Sequence, residues 1–411
     1  MEAIDLFSSV INFIILTLPV VIPIFLAILL FDLWFGFARD KFISSQENVL
    51  LKVVPPEDIL KTPLAMELFI NGLYQTFGEG SLLDVYWKGS VRPWFSLEIA
   101  SNGGNVNFYI WTRKSIVGYI ESQIYAQYPG IEVSEVDDYA TKFEFDDSRH
   151  KMWGLEYEFT ADNSIPIKTY IDYGLDKPSK DEEKVDPITP TIEFLGSAGQ
   201  GDHIWLQIIL RAHKKEDKKP GSWFGKTDLW VDNHRKEIKK ISELNQEEDS
   251  EGNKKNQGPS EIQKERIQSI ERAQGKLAFD VGIRSVYVSD KDNFNPVNKG
   301  GLVGAFKQYS SNNMNGFKPT RATTIDHWWQ DPFGKNIKLL ESQLLDNYRE
   351  RAYFYKDFMG KNKFTGEKRN ILVMNAEEIA TIFHFPGSVA TTPNLERVSS
   401  RKSNAPSDLP I

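Results

Sequence analysis

Residues 10–31 (VINFIILTLPVVIPIFLAILLF) contain no charged side chain, and this run constrains the chain more than any other feature. At ~1.5 Å rise per residue a helix of this length spans roughly 33 Å, close to the thickness of a bilayer's hydrocarbon core. Asn12 and Thr17 are its clearly polar members. Pro19 and Pro23, one turn apart, remove two backbone donors and are expected to kink the helix, which lipid-embedded helices tolerate. A cleaved signal would need a basic start, a shorter apolar stretch and a small-residue cleavage site. Here Glu2 and Asp5 precede the run and Phe31-Asp32-Leu33-Trp34 ends it. The expectation is therefore a single-pass membrane anchor over residues 1–42, with Trp34 and Phe35 at the interface. Arg39 and Lys41 follow the span, so the positive-inside rule places the N-terminus outside and the body in the cytoplasm.

What the anchor carries is not disordered. Of the 411 residues, 40% are hydrophobic and 12% aromatic, enough for substantial cores. The net charge of −8 disfavours bulk nucleic-acid binding, which needs a basic footprint. The absence of cysteine removes disulfides, thiolate nucleophiles and cysteine-ligated metals.

The body reads as α+β. Residues 49–54 are a strand candidate, and Thr62-Pro63 opens a helix. Residues 94–100 alternate, Asn102-Gly103 signals a hairpin, and 106–111 alternate again. A helix over 113–128 stops at Pro129-Gly130, and 131–136 is a strand. This strand and helix order is that of a split β-α-β, ferredoxin-like module over 43–148. The order is expected to recur over 149–374. That second unit has strands at 153–159, 167–173, 204–210 and 277–283, short helices from Thr189 and after Pro296, and residues 371–374 closing the sheet. A helical hairpin (233–274) interrupts it, with a disordered loop at 245–260. A long helix is expected over 335–358. Residues 375–411 give a short helix capped by Asn375 and Glu378, then an extended, proline-bearing C-terminal arm.

The motifs of catalysis are weak. Gly221-Ser-Trp-Phe-Gly225-Lys226-Thr227 has three residues where a P-loop needs four, and no buried strand precedes it. Gly300-Gly301-Leu-Val-Gly304 lacks dinucleotide spacing. None of the six histidines has a partner at metal-binding helix spacing. The expectation is a non-enzymatic chain without cofactor or metal. Two surfaces remain as sites for a partner or nucleic acid. Tyr109 and Trp111 lie on a middle strand, where aromatic faces could stack bases. Asp326, His327, Trp328 and Trp329 form a cluster that reads equally as a docking loop. The C-terminal arm, with His384, Pro386, Pro393 and Leu395, could lie along a partner by strand addition.

Several phrases carry a resemblance: Pro63-Leu-Ala-Met-Glu-Leu-Phe, Arg92-Pro-Trp-Phe-Ser-Leu-Glu-Ile, Phe108-Tyr-Ile-Trp, Tyr119-Ile-Glu-Ser-Gln-Ile-Tyr-Ala-Gln-Tyr-Pro-Gly, and Leu372-Val-Met-Asn-Ala-Glu-Glu-Ile-Ala-Thr-Ile-Phe-His-Phe-Pro. Together they resemble an uncharacterised family of single-span membrane proteins from uncultured, small-genome bacteria. That family is similar to the N-terminal, non-ATPase portion of conjugation or type IV secretion ATPases. The resemblance implies a membrane-anchored scaffold that docks a separate P-loop translocation ATPase, with self-association left open. The alternative is a membrane-associated protein that binds single-stranded nucleic acid.

Overall fold

The computed structural model describes residues 2–57, 59, 61–177, 185–215, 217–218, 225–243, 246–248, 254–256, 258–325, 327, 329, 331–354, 371–387 and 395–398. They fall into two compact units, one of residues 2–47 and 77–92, the other of 48–76, 93–354 and 371–398.

In the first unit, helix α1 (Glu2–Ser44) runs unbroken through Pro19 and Pro23. The part Ile15–Ser44 carries an apolar stretch with none of it buried, so this helix is long and apolar enough to cross a membrane. The second unit is a mixed α+β body built on a large, antiparallel sheet. Its first strands are β1 (Asn48–Val54), β2 (Trp94–Asn102), β3 (Asn105–Arg113) and β4 (Glu132–Val136). Helices α2 (Pro63–Gly72) and α4 (Val117–Gln127) connect them, and α3 (Leu82–Tyr86) belongs to the first unit. Strand β5 (His150–Phe159) follows the short helix α5 (Tyr139–Lys142), and α6 (Thr189–Gly196) leads to β6 (His203–Ala212). Two short ladders, β7 (Asp217–Lys218) with β8 (Lys226–Thr227) and β9 (Gln246–Glu248) with β10 (Lys254–Asn256), flank α7 (Leu229–Glu243). Then come α8 (Glu261–Gln274), the long β11 (Ala278–Asp290), α9 (Val297–Gly304), β12 (Phe317–Thr320), α10 (Lys335–Glu350), β13 (Leu372–Asn375) and α11 (Ala376–Ile382).

The main sheet has the order β12-β5-β11-β6-β2-β3-β1-β4, with β13 added beside β11. The two modules expected over 43–148 and 149–374 contribute their strands to one sheet. Strands β2 and β6 join its halves along their whole length, from Trp94↔Arg211 to Asn102↔His203. Both halves repeat one order, β4-β1-β3-β2 and β12-β5-β11-β6, with every neighbour antiparallel. The hairpin at Asn102 forms through Gly103 and Gly104, whose φ values of 61° and 88° suit a tight two-residue turn. Alternate residues of the strands, among them Leu97, Phe108, Leu155, Leu206 and Val281, face one continuous core. Helices α2, α4, α6, α9 and α11 cover that face with Phe69, Ile124, Ile192, Leu302 and Ile379.

Four expectations are corrected. Residues 167–173 do not form a strand: 167–169 have no regular structure and 170–173 form turns. Their backbone is held by side chains, with Ile167 N–H donating to Glu378 and Tyr170 N–H to Thr381. Strand β12 closes the sheet at its edge, whereas residues 372–375 pair with the start of β11. Within the loop expected to be disordered, 246–248 and 254–256 pair as a short antiparallel ladder, with Lys254 in register with Glu248 and Lys255 with Glu247. The long helix ends at Glu350 because Arg351 turns left-handed, with φ of 51°. Residues 355–358 of that expected helix, and residues 221–224 of the glycine-lysine motif, lie outside the described residues.

Candidate functional site

The other face of the sheet is polar, and its register makes a row. Cross-strand partners share a face, and the pairings Ser134↔Lys52, Lys52↔Tyr109, Tyr109↔Glu98, Glu98↔Gln207, Gln207↔Arg284, Arg284↔Glu156 and Glu156↔Thr320 cross all eight strands of the main path. The centre of the row, from Tyr109 through Glu98, Gln207 and Arg284 to Glu156, is buried, and that burial is possible because α5, α10 and residues 351–354 lie over it with polar groups of their own.

Glu98 is the centre. Its Oε1 accepts from Ser96 Oγ (2.7 Å), Gln207 Nε2 (3.0 Å) and Arg351 Nε (2.9 Å). Its Oε2 accepts from Tyr139 Oη (2.7 Å) and Arg351 Nη2 (3.1 Å). Arg351 also donates to Asp138 and to the Arg349 carbonyl. Burial pushes the Asp138 carboxyl up, but the hydrogen bond and charge of Arg351 outweigh it and hold that carboxyl below its ordinary value. Burial, reinforced by the Glu98 charge, pushes the Tyr139 and Tyr348 phenols well up, so both stay neutral and share a 2.7 Å hydrogen bond. Gln207 Nε2 reaches the Tyr348 carbonyl as well, at 3.0 Å.

The row continues under residues 351–354. Arg284 donates to the Ala352 carbonyl at 2.6 Å and lies 5.2 Å from the Tyr353 ring. Arg211 pairs with Asp280 at 2.8 Å beneath Phe354. Close approach needs glycine. A Cβ on Gly282 would fall 2.4 Å from the Tyr353 ring, and one on Gly154 would fall 2.5 Å from Leu344.

Chemically, both Glu98 oxygens are already occupied by donors of the same chain. Taking a proton from a substrate would require breaking that set, so the cluster acts as a lock that fastens α10 to the sheet. A second lock lies on the helical side. Lys276 bridges Glu67 (2.6 Å) and Glu377 (2.8 Å), and Arg272 bridges Glu377 (3.1 Å) and Asp172 (3.2 Å). Among the described residues, no group of three or more His, Asp or Glu side chains could hold a metal ion.

The sequence-derived sites fare unevenly. Tyr109 and Trp111, expected as a stacking surface, are each only 7% exposed. Tyr139 lies against Tyr109 (4.9 Å between centroids), and Trp94 lies against Trp111 (5.7 Å). The physical reason is the Glu98–Arg351 lock, which draws α5 and α10 over that face. His327 and Trp329 are exposed, their rings stacked 4.3 Å apart at 7°. Asp326 and Trp328 lie outside the described residues, as does Pro393. His384 is buried, with Nδ1 bonded to the Ala380 carbonyl and Nε2 to Asp186, both at 2.9 Å, and Pro386 is buried beside it.

The arm expected to reach a partner docks on its own chain. Leu395 is buried and bridges Val106, filling the edge of β3 that β1 leaves at Val53↔Phe108. Val398 exchanges backbone bonds with Pro55 and Glu57, and Glu396 pairs with Lys52 at 2.6 Å.

Sequence reasoning passed over Glu98, Gln207, Arg284 and Arg351. The available signal was a polar residue between two apolar neighbours of a strand, as in Leu97-Glu98-Ile99 and Leu206-Gln207-Ile208.

A family model described as "Domain of unknown function (DUF8128)" matches residues 41–397. No curated protein matches the chain.

Proposed function

Since the chain belongs to the DUF8128 family, whose model covers the body that follows the apolar helix, we propose that it is a membrane-anchored, non-enzymatic platform that docks a separate P-loop translocation ATPase. The observation that carries this reading is the pairing of an unburied apolar helix with a body whose central charges are spent on its own elements. Helix α1 fixes the position in a single pass, and Arg39 and Lys41 support a cytoplasmic body. The twice-repeated strand order supports reading the body as two ferredoxin-like modules fused edge to edge through β2 and β6. A rigid double module locked on both faces suits a scaffold, because it presents fixed surfaces without needing a cleft. The choice of partner rests on the resemblance read in the sequence, to a family similar to the non-ATPase portion of conjugation or type IV secretion ATPases.

The surface offered to that partner includes Trp329 and Phe333, exposed at 60% and 82%. Single-strand nucleic-acid binding draws no support from Tyr109 and Trp111, whose rings are covered. Cross-linking in native membranes followed by capture of the full chain should recover a P-loop ATPase, and Trp329→Ala should reduce the yield. Capture that retains membrane neighbours but no ATPase overturns the proposal.

A further inference from the structure

The first unit holds a second apolar element beside the anchor. Its segment 77–92 climbs along α1. At its lower end Gly89, with φ of 66°, abuts the Ala38 backbone so closely that a Cβ would sit 2.3 Å from it. Three residues earlier, Tyr86 packs on Phe31 and Phe35 at 5.6 and 5.2 Å, and Trp87 packs on Trp34 at 5.0 Å. From Ala38 to Phe31 is about 10 Å along the helix axis, and the direction is from the charged Arg39-Asp40-Lys41 toward the apolar run.

The outward side of this segment is apolar. Leu82, Leu83 and Trp87 are 75%, 69% and 66% exposed, and Phe77 is 51% exposed. Meanwhile its charged groups pair with one another. Ser81 and Asp84 form a reciprocal capping box, and Asp84 pairs with Lys88 at 2.7 Å. Lower down, Arg92 pairs with Glu79 at 2.9 Å and is 1% exposed. Paired charges under an outward apolar side are what an element needs to rest in the boundary between headgroups and acyl chains. Tyr and Trp beside the helix exit suit that same depth.

We infer that α3 and Trp87 form a membrane-dipping element, with Leu82, Leu83 and Trp87 inserted into the leaflet where α1 leaves it. The occupant is lipid because the exposed apolar surface is continuous with that of α1. This inference rests on the reading of α1 as membrane-spanning. The element gives the anchor a second foothold and so restricts swivelling about α1.

The chain has no cysteine, so single probes can be placed at will. Leu83→Cys, Trp87→Cys, Val20→Cys and Lys239→Cys are each labelled with an environment-sensitive fluorophore. The full-length protein is then reconstituted in vesicles of phosphatidylcholine and phosphatidylglycerol. The Leu83 and Trp87 probes should lose roughly half their emission to lipids carrying a shallow nitroxide and resist aqueous iodide, as expected for side chains at the acyl boundary. The Lys239 probe, on the exposed side of α7, should respond to iodide alone. If Val20 is quenched by lipid label while Leu83 and Trp87 respond to iodide, the dipping element is wrong and the spanning helix stands. If Leu83 resists both quenchers, protein covers the patch and lipid does not. If Val20 too escapes lipid label, the inference and the spanning reading fall together.

Discussion

Arg351 donates to both carboxylate oxygens of Glu98, at 2.9 and 3.1 Å, and neither side chain has any exposed surface. A buried pair is weak evidence for stability in itself, but removing one partner strands the other. Arg351→Met should therefore destabilise the body by about 3–5 kcal/mol. Glu98→Leu combined with Arg351→Met should recover much of that loss. Arg351→Lys should restore little, because a lysine cannot reproduce the fork that spans Glu98 and Asp138. Denaturant unfolding of the detergent-solubilised chain, followed by tryptophan emission, reads all three. Equal losses for Arg351→Met and the double variant would show that the pair is not coupled.

Gly282 is the position where the sheet meets Tyr353. The ring atoms that a Cβ would strike are 2.4–2.5 Å away, well inside contact distance. Gly282→Ala should cost about 1–3 kcal/mol by overpacking. Adding Tyr353→Ala should return part of that cost, since the obstacle is the ring rather than the backbone of β11. Thermal unfolding of the single and double variants checks this, and strictly additive losses would contradict the contact.

The elements legible in the sequence are those set by local chemistry. The Asn102 hairpin follows from two glycines at positive φ, and the Asn375–Glu378 capping box forms as its spacing requires. Pro129-Gly130 ends α4 at Gln127. Illegible features depend on distant chain. The run 167–173 is apolar enough for a strand, yet its backbone is satisfied by α11, 211 residues away for Ile167 and Glu378. Strand β12 contains Pro319, which removes a ladder donor and is tolerated because the strand lies at an edge. The polar row was hidden for the same reason. Each strand contributes one residue to it, and only the pairing of eight strands makes them neighbours.

Leu395 is the anchor of the C-terminal arm, 6% exposed within the main core. Its truncation to Ala should cost about 2–3 kcal/mol, the lower part of the range for a buried leucine. The larger effect should be local, because Leu395 is the arm's buried apolar contact while Glu396–Lys52 and Arg397–Glu57 lie at the surface. Limited trypsin digestion should cut after Arg397 faster in Leu395→Ala than in the parent, before any cut in the sheet. Unchanged cleavage at Arg397 would mean that the arm is held elsewhere.

Glu341 on α10 ties stability to pH. Burial first, then the neighbouring Asp147 charge, pushes its carboxyl up to about 7, while Lys151, Lys299 and Lys338 pull the other way. Because the folded value lies above the unfolded one, the folded chain holds a proton that the unfolded chain has lost. The contribution is present in full below the ordinary carboxylate value of 4.5 and disappears as pH rises through about 7. His213 acts in the same direction. Burial opposes its charge, but the hydrogen bond to Asp280 prevails and raises it above 6.5. The test is therefore the difference between the parent and Glu341→Gln, since His213 is common to both. The parent's melting temperature should fall more steeply from pH 5 to pH 8 than the variant's, with the curves converging at the acid end once the offset of the substitution is removed. Parallel curves across that window would show that Glu341 is ionised throughout, and α10 would then rest on the Glu98–Arg351 lock without help from a protonated carboxyl.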